Sequence, residues 1–152
     1  MLLRLAALFA EYAATIDSDR LEEWPDFFVP ECLYKITSAD NHKRGYAAGI
    51  VYADSQAMLR DRITALRGAN IFERHSYRHI IGLPLIRGEE SDGVKAETPF
   101  LVTRTMRDGT TDLFATGVYL DRVREIEGRL LFAERIVVCD SSRFDTLLVI
   151  PL

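Results

Sequence analysis

The chain has 152 residues, 48% of them hydrophobic and 28% charged, and a formal net charge of -4. That length suits one domain with its own core, and the acidic balance excludes the basic footprint of a nucleic-acid-binding module. No apolar run approaches the ~20 residues of a membrane-spanning helix, and Glu11 cuts the N-terminal run too short for a secretory signal. A cytoplasmic protein with no membrane or nucleic-acid partner is therefore expected. The two cysteines, Cys32 and Cys139, have no C-x-x-C spacing. Free, buried thiols in a reducing compartment are the expectation, with a disulfide between them as the alternative.

In chain order, Leu2, Leu5, Phe9, Tyr12, Ala13 and Ile16 recur at three- and four-residue steps. This predicts an amphipathic helix. Asp17-Ser18-Asp19 ends it and offers cap chemistry to a short second helix running through Trp24 to Phe28. Pro25 is tolerated near its start and Pro30 closes it. Cys32–Thr37 reads as a strand, with Cys32, Tyr34 and Ile36 on one face and Leu33, Lys35 and Thr37 on the other. A polar loop from Ser38 to Gly45 precedes a short extended piece near Ile50–Tyr52. Ser55 caps a third helix from Gln56 to about Arg67, with Met58, Leu59, Ile63 and Leu66 as its apolar stripe and Gly68 as its stop.

From Phe72 the pattern turns strand-like. Phe72–Ile86 alternates and is broken at Gly82 and Pro84. Lys95–Arg107, Leu113–Arg124 and Leu130–Cys139 are three long strands, joined by hairpin turns at Asp108-Gly109 and Glu127-Gly128. The apolar tail Leu147–Leu152 must pack against something. Helices first and a meander afterwards define a single α+β domain over residues 1–152, with helices on one face of an antiparallel sheet. A strongly curved sheet would make a cone with an apolar interior.

Chemistry is sparse. His75 and His79 have i, i+4 spacing, but on a strand they stand ~13 Å apart at ~3.3 Å per residue. One metal ion with ~2 Å bonds cannot bridge that gap. Cys32 and Cys139 have no paired histidines, so a Rieske cluster is not built here. Asp40 and His42 on one loop do not complete a two-histidine, one-carboxylate iron site. There is no G-x-S-x-G and no G-x-G-x-x-G. Acid–base work in a cone interior is the remaining candidate, with Tyr34, Asp40, Tyr52, Asp54 and His79 as its residues. Loop, cap and sheet roles for the same residues are the plainer alternative.

The segments TIDSDRLEEWPDFFVPECLYKI, DSQAMLRDRITALR, ERHSYRHIIG and ERIVVCDSSRFDTLLVIPL, taken together, resemble the small (beta) subunits of aromatic-ring-hydroxylating, Rieske-type non-haem-iron dioxygenases. The resemblance covers essentially the whole chain. The stretch DNHKRGYAAGIVYADSQAMLRDRITALRGANIFERHSYRHIIGLP is most similar to the members acting on terephthalate, ahead of salicylate and anthranilate types. The resemblance implies an NTF2-like cone with the N-terminal helices on its concave face. It implies a trimer of small subunits beneath three large (alpha) subunits. The large subunit would carry the Rieske [2Fe-2S] cluster and the mononuclear Fe(II), with electrons from NAD(P)H through a reductase. It implies no cofactor, no metal and no catalytic residue in this chain. The residue-level alternative, a stand-alone dehydratase, isomerase or cyclase, would use Asp40, His79 and Tyr34. Arg74, Arg78 and Arg104 are candidate interface arginines.

Overall fold

A computed structural model describes residues 1–47, 49–69, 75–143 and 150–152. Helix α1 runs over Leu2–Asp17 and buries Leu5, Phe9, Tyr12, Ala13 and Ile16 of the predicted stripe, together with Thr15, while Leu2 at its start is exposed. Ser18 ends α1 rather than capping the next element, and Asp19 takes a positive φ of 59° to turn the chain. The second helix is a 3₁₀ helix over Leu21–Phe27 with no side-chain cap. Pro25 fits inside it because so short a 3₁₀ element makes few internal bonds that a missing N–H could break.

Strand β1 spans Phe28–Ser38, longer than the pattern predicts. Pro30 does not end a helix; it is exposed within β1, where the register to the neighbouring strand shifts between Phe28 and Leu33. An irregular stretch of ladder is where a residue without an N–H costs least. The predicted polar loop contains a short helix, α2 (Ala39–Lys43), whose N-cap Ser38 accepts a bond from the Asn41 N–H at 3.2 Å. Then come β2 (Val51–Ala53) and α3 (Gln56–Gly68), where Ser55 Oγ accepts from the Met58 N–H as expected. Leu59, Ile63 and Leu66 are buried, while Met58 faces solvent.

The remaining strands are β3 (His75–Ile81), β4 (Leu85–Glu90), β5 (Gly93–Met106), β6 (Thr111–Ile126) and β7 (Arg129–Cys139). The predicted start of the β3 segment at Phe72 lies outside the described residues. Glu127 and Gly128 have φ of 50° and 79°, the left-handed pair that a two-residue hairpin turn demands.

The sheet order is β2-β1-β7-β6-β5-β3, with β4 also paired to β5. Every pairing is antiparallel except one: β1 runs parallel to β7. The sheet is therefore mixed. A parallel neighbour requires a long crossover, here everything between β1 and β7. Helix α1 packs on β3 and β7, and α3 on β1 and the 3₁₀ helix. Strands β6 and β7 alternate fully buried with half-buried positions, so the sheet has one sealed face, turned toward the helices, and one open face. No described helix is long and apolar enough to cross a membrane.

Candidate functional site

The sealed face lines the interior of the cone. Cross-strand register places Ala96, Asp121, Arg135 and Tyr34 side by side on β5, β6, β7 and β1. Arg135 Nε and Nη2 donate to the two Asp121 carboxylate oxygens at 2.8 Å each. Both side chains are wholly buried. The guanidinium carbon lies 4.0 Å from the ring centres of Tyr119 and Phe132, 4.3 Å from Tyr12 and 4.9 Å from Phe9. Four rings thus cage one cation, an arrangement that strengthens when water is excluded. Arg135 Nη1 has no hydrogen-bond partner among the described residues.

Burial opposes the charge on Arg135, but Asp121 and its hydrogen bonds outweigh it and hold the guanidinium firmly protonated. Burial lifts the Asp121 carboxyl above its usual range against the pull of Arg135. The Tyr119 phenol is raised well above its ordinary value, again chiefly by burial. This cluster was not among the sequence candidates. A charged residue on the apolar face of a strand, Asp121 between Tyr119 and Val123, was the available signal.

The candidates that the sequence offered are dispersed. Tyr34 is buried and edge-packed at 5.1 Å against Trp24. Its hydroxyl donates to the Leu152 backbone oxygen and accepts from the Leu152 N–H, both at 3.1 Å. Tyr12 donates to the same oxygen at 2.7 Å and accepts from Trp24 Nε1 at 3.1 Å. Ile150, Pro151 and Leu152 are buried, so the described end of the apolar tail packs into this chain's own core. Residues 147–149 of that tail lie outside the described residues. Asp40 is exposed on α2, Tyr52 is exposed on the edge strand β2, and Asp54 is exposed beside the Ser55 cap.

His79 belongs to a different cluster. Its Nδ1 lies 2.6 Å from Asp17 Oδ1, and its backbone N–H donates to Asp17 Oδ2 at 2.9 Å. The ring is fully buried and Nε2 has no partner among the described residues. A cleft between α1, α3 and β3 is lined by Asp17, Arg67, His75 and Tyr77, but not by His79, Tyr34 or Asp40. Asp40, His79 and Tyr34 therefore do not share one pocket wall.

Among the described residues no three His, Cys, Asp or Glu side chains gather as a ligand set. His75, Tyr77 and His79 form a ladder on β3, the Tyr77 ring lying 5.2 Å and 6.3 Å from the two imidazoles. Cys32 and Cys139 are free and buried, their thiols pushed up by burial to about 11 and about 12. A thiol held protonated is a poor ligand for iron. Of the candidate interface arginines, Arg78 is exposed 4.0 Å from Asp17 and Arg104 pairs with Asp112 at 3.3 Å over the Phe114 ring. Arg74 lies outside the described residues.

Residues 3–136 match the SnoaL-like domain family. The chain is 55% identical, over 99% of its length and 97% of the relative's, to the terephthalate 1,2-dioxygenase terminal oxygenase component subunit beta 1 of Comamonas sp. It is 36% identical to the anthranilate 1,2-dioxygenase small subunit of Burkholderia cepacia, over 93% of this chain and 88% of that one. Among solved structures it superposes, with a TM-score of 0.91 and 38% identity, on a beta subunit assigned to an aromatic-ring-hydroxylating dioxygenase of Novosphingobium aromaticivorans. That match covers 99% of this chain and 96% of the other. A cone of helices on a curved mixed sheet, with these relatives, defines the class: the chain belongs to the SnoaL-like domain family and, within it, to the small (beta) subunits of aromatic-ring-hydroxylating dioxygenases. Among the relatives named here, the terephthalate subunit shares the most residues with it. The enzymes of this class are oxidoreductases, and a beta subunit of a terminal oxygenase works beside a large alpha partner.

Proposed function

We propose that this chain is the non-catalytic assembly subunit of an oxygenase that cis-dihydroxylates an aromatic carboxylate, terephthalate before salicylate or anthranilate. The observation that carries this reading is the filled cone. Arg135, Asp121 and four aromatic rings occupy the interior between the sealed sheet face and α1. Among the described residues, the interior is close-packed around the Arg135 guanidinium. The Rieske [2Fe-2S] cluster and the mononuclear Fe(II) belong on the large subunit in this proposal, with electrons reaching them from NAD(P)H through a reductase. Three large and three small subunits assemble in the cytoplasm.

The test is reconstitution. Expressed alone, the chain binds no iron and oxidises nothing. Expressed with a terephthalate oxygenase large subunit and supplied with reductase and NAD(P)H, it yields a cis-dihydrodiol from terephthalate faster than from anthranilate or salicylate. Stoichiometric iron on the isolated chain, or turnover by it, defeats the proposal.

One arrangement favours the second reading, a stand-alone dehydratase, isomerase or cyclase: Asp17 orients His79 through Nδ1 and leaves Nε2 without a partner among the described residues. A general base is commonly oriented in this way. That reading requires His79→Ala to abolish a turnover measurable with the isolated chain, at little loss of fold.

A further inference from the structure

Residues 150–152 enter the core as a segment held by side chains. They belong to no helix or strand, yet Leu152 is fully buried and Ile150 is only 9% exposed. A buried backbone must have its polar groups paired, and elsewhere in this core ladders and helical turns do that. Leu152 makes no hydrogen bond to another backbone group among the described residues. Hydroxyls from two different elements serve it instead.

The Tyr34 hydroxyl, from β1, donates to the Leu152 oxygen and accepts from the Leu152 N–H, both at 3.1 Å. The Tyr12 hydroxyl, from α1, donates to the same oxygen at 2.7 Å. Its hydrogen is aimed by Trp24: the indole Nε1–H can only donate, and it takes a lone pair of the Tyr12 hydroxyl at 3.1 Å. The three side chains thus present a fixed pattern of two donors to one carbonyl oxygen and one acceptor to the N–H of the same residue. Burial raises both phenols above their ordinary values, which keeps them in the donating form. The wall around them is aromatic. Trp24 meets Tyr34 at 5.1 Å and Phe28 at 5.7 Å, and Phe28 meets Tyr34 at 5.9 Å. An apolar lining with a few convergent polar groups is the anatomy of a ligand pocket.

We infer that Tyr12, Tyr34 and Trp24 form a binding site for a short apolar peptide amide, and that Leu152 fills it as an internal ligand. A segment gripped by side chains can leave without breaking a helix or a strand, so the site outlasts its occupant. The tethered tail is present at an effective concentration of about millimolar or more, which keeps free ligand out of the wild type. The site depends on these contacts and not on the oxygenase role.

The experiment expels the tail from the 152-residue chain. Ile150→Asp with Leu152→Asp sets two carboxylates where neither can stay charged without a partner. The probe is acetyl-Ile-Pro-Leu-amide, the sequence of residues 150–152, and the reporter is Trp24, the chain's one tryptophan. In the double variant the Trp24 emission is expected at longer wavelength, and the peptide is expected to return it to the wild-type position along a saturable curve. The wild type is expected to give no response at about 1 mM peptide. Adding Tyr34→Phe to the double variant removes two hydrogen bonds to the peptide and is expected to weaken its binding at least about tenfold. Where the double variant does not fold alone, the same titration is read by circular dichroism, and the peptide is expected to restore the folded signal by mass action. A peptide that neither moves the Trp24 emission nor restores the fold overturns the inference. Equal binding by the Tyr34→Phe variant, or by the wild type, overturns it as well.

Discussion

Arg135 and Asp121 meet through two parallel hydrogen bonds of 2.8 Å, with neither side chain touching water. Removing one partner strands the other charge in the core. Arg135→Met should cost about 3–5 kcal/mol of unfolding free energy, read from urea denaturation. The double variant Arg135→Met, Asp121→Asn should cost clearly less, because neither charge is left alone. A single variant no weaker than the wild type would show that the cage does not organise the cone.

His79 and Asp17 tie the end of α1 to β3 through two bonds. Asp17→Ala leaves the His79 N–H and ring without that acceptor, and each stranded buried donor costs about 1–3 kcal/mol. The expected outcome is a lower melting temperature with unchanged kcat in the reconstituted oxygenase. A large fall in kcat at unchanged stability would instead give the pair a catalytic role.

Tyr34 both donates to and accepts from the Leu152 backbone, while Tyr12 bridges Trp24 and Leu152. Tyr34→Phe removes both of its bonds without changing the ring and should destabilise by about 1–3 kcal/mol. Hydrogen exchange at the Leu152 amide should rise in step. An amide exchanging as slowly as before would mean that the tail is held by other contacts.

The two thiols set an alkaline limit. Burial raises Cys32 to about 11 and Cys139 to about 12, whereas an unfolded thiol titrates near ~8.5. A pKa raised on folding contributes stability that is complete below the unfolded value and is lost as pH climbs toward the folded one. Unfolding free energy should therefore decline from about pH 9 upward. In Cys32→Ala, Cys139→Ala the decline should begin about 1.5 units higher, where unfolded tyrosines titrate. A thiol-specific reagent should label neither cysteine in the native protein and both after denaturation. Rapid native labelling would contradict the burial.

Helices α1 and α3, the Ser55 cap, the Glu127-Gly128 turn and the sealed cysteines were legible because each depends on residues a few places apart. Pro30 within β1 and the parallel β1–β7 pairing were not, since both depend on a neighbour about a hundred residues away. Of the sequence candidates, Tyr34 and His79 are buried and held by Leu152 and Asp17, and Asp40 lies in solvent. Polar residue types alone do not say which partner reaches them first.

The residue pattern by itself determined a helix-then-meander domain with an apolar cone, because periodicity and turn chemistry are local. What fills that cone was decided by a single irregularity. The Glu127-Gly128 turn pairs Ile126 with Arg129 and Val123 with Phe132. Continued without a break, that register would set Asp121 against Glu134, two carboxylates face to face. A one-residue shift next to Val123 leaves Ala133 out of the ladder and brings Asp121 opposite Arg135 instead. A strand shifted by one residue presents its other face. Only the packed tertiary structure, in which a buried carboxylate must find a cation, selects that register.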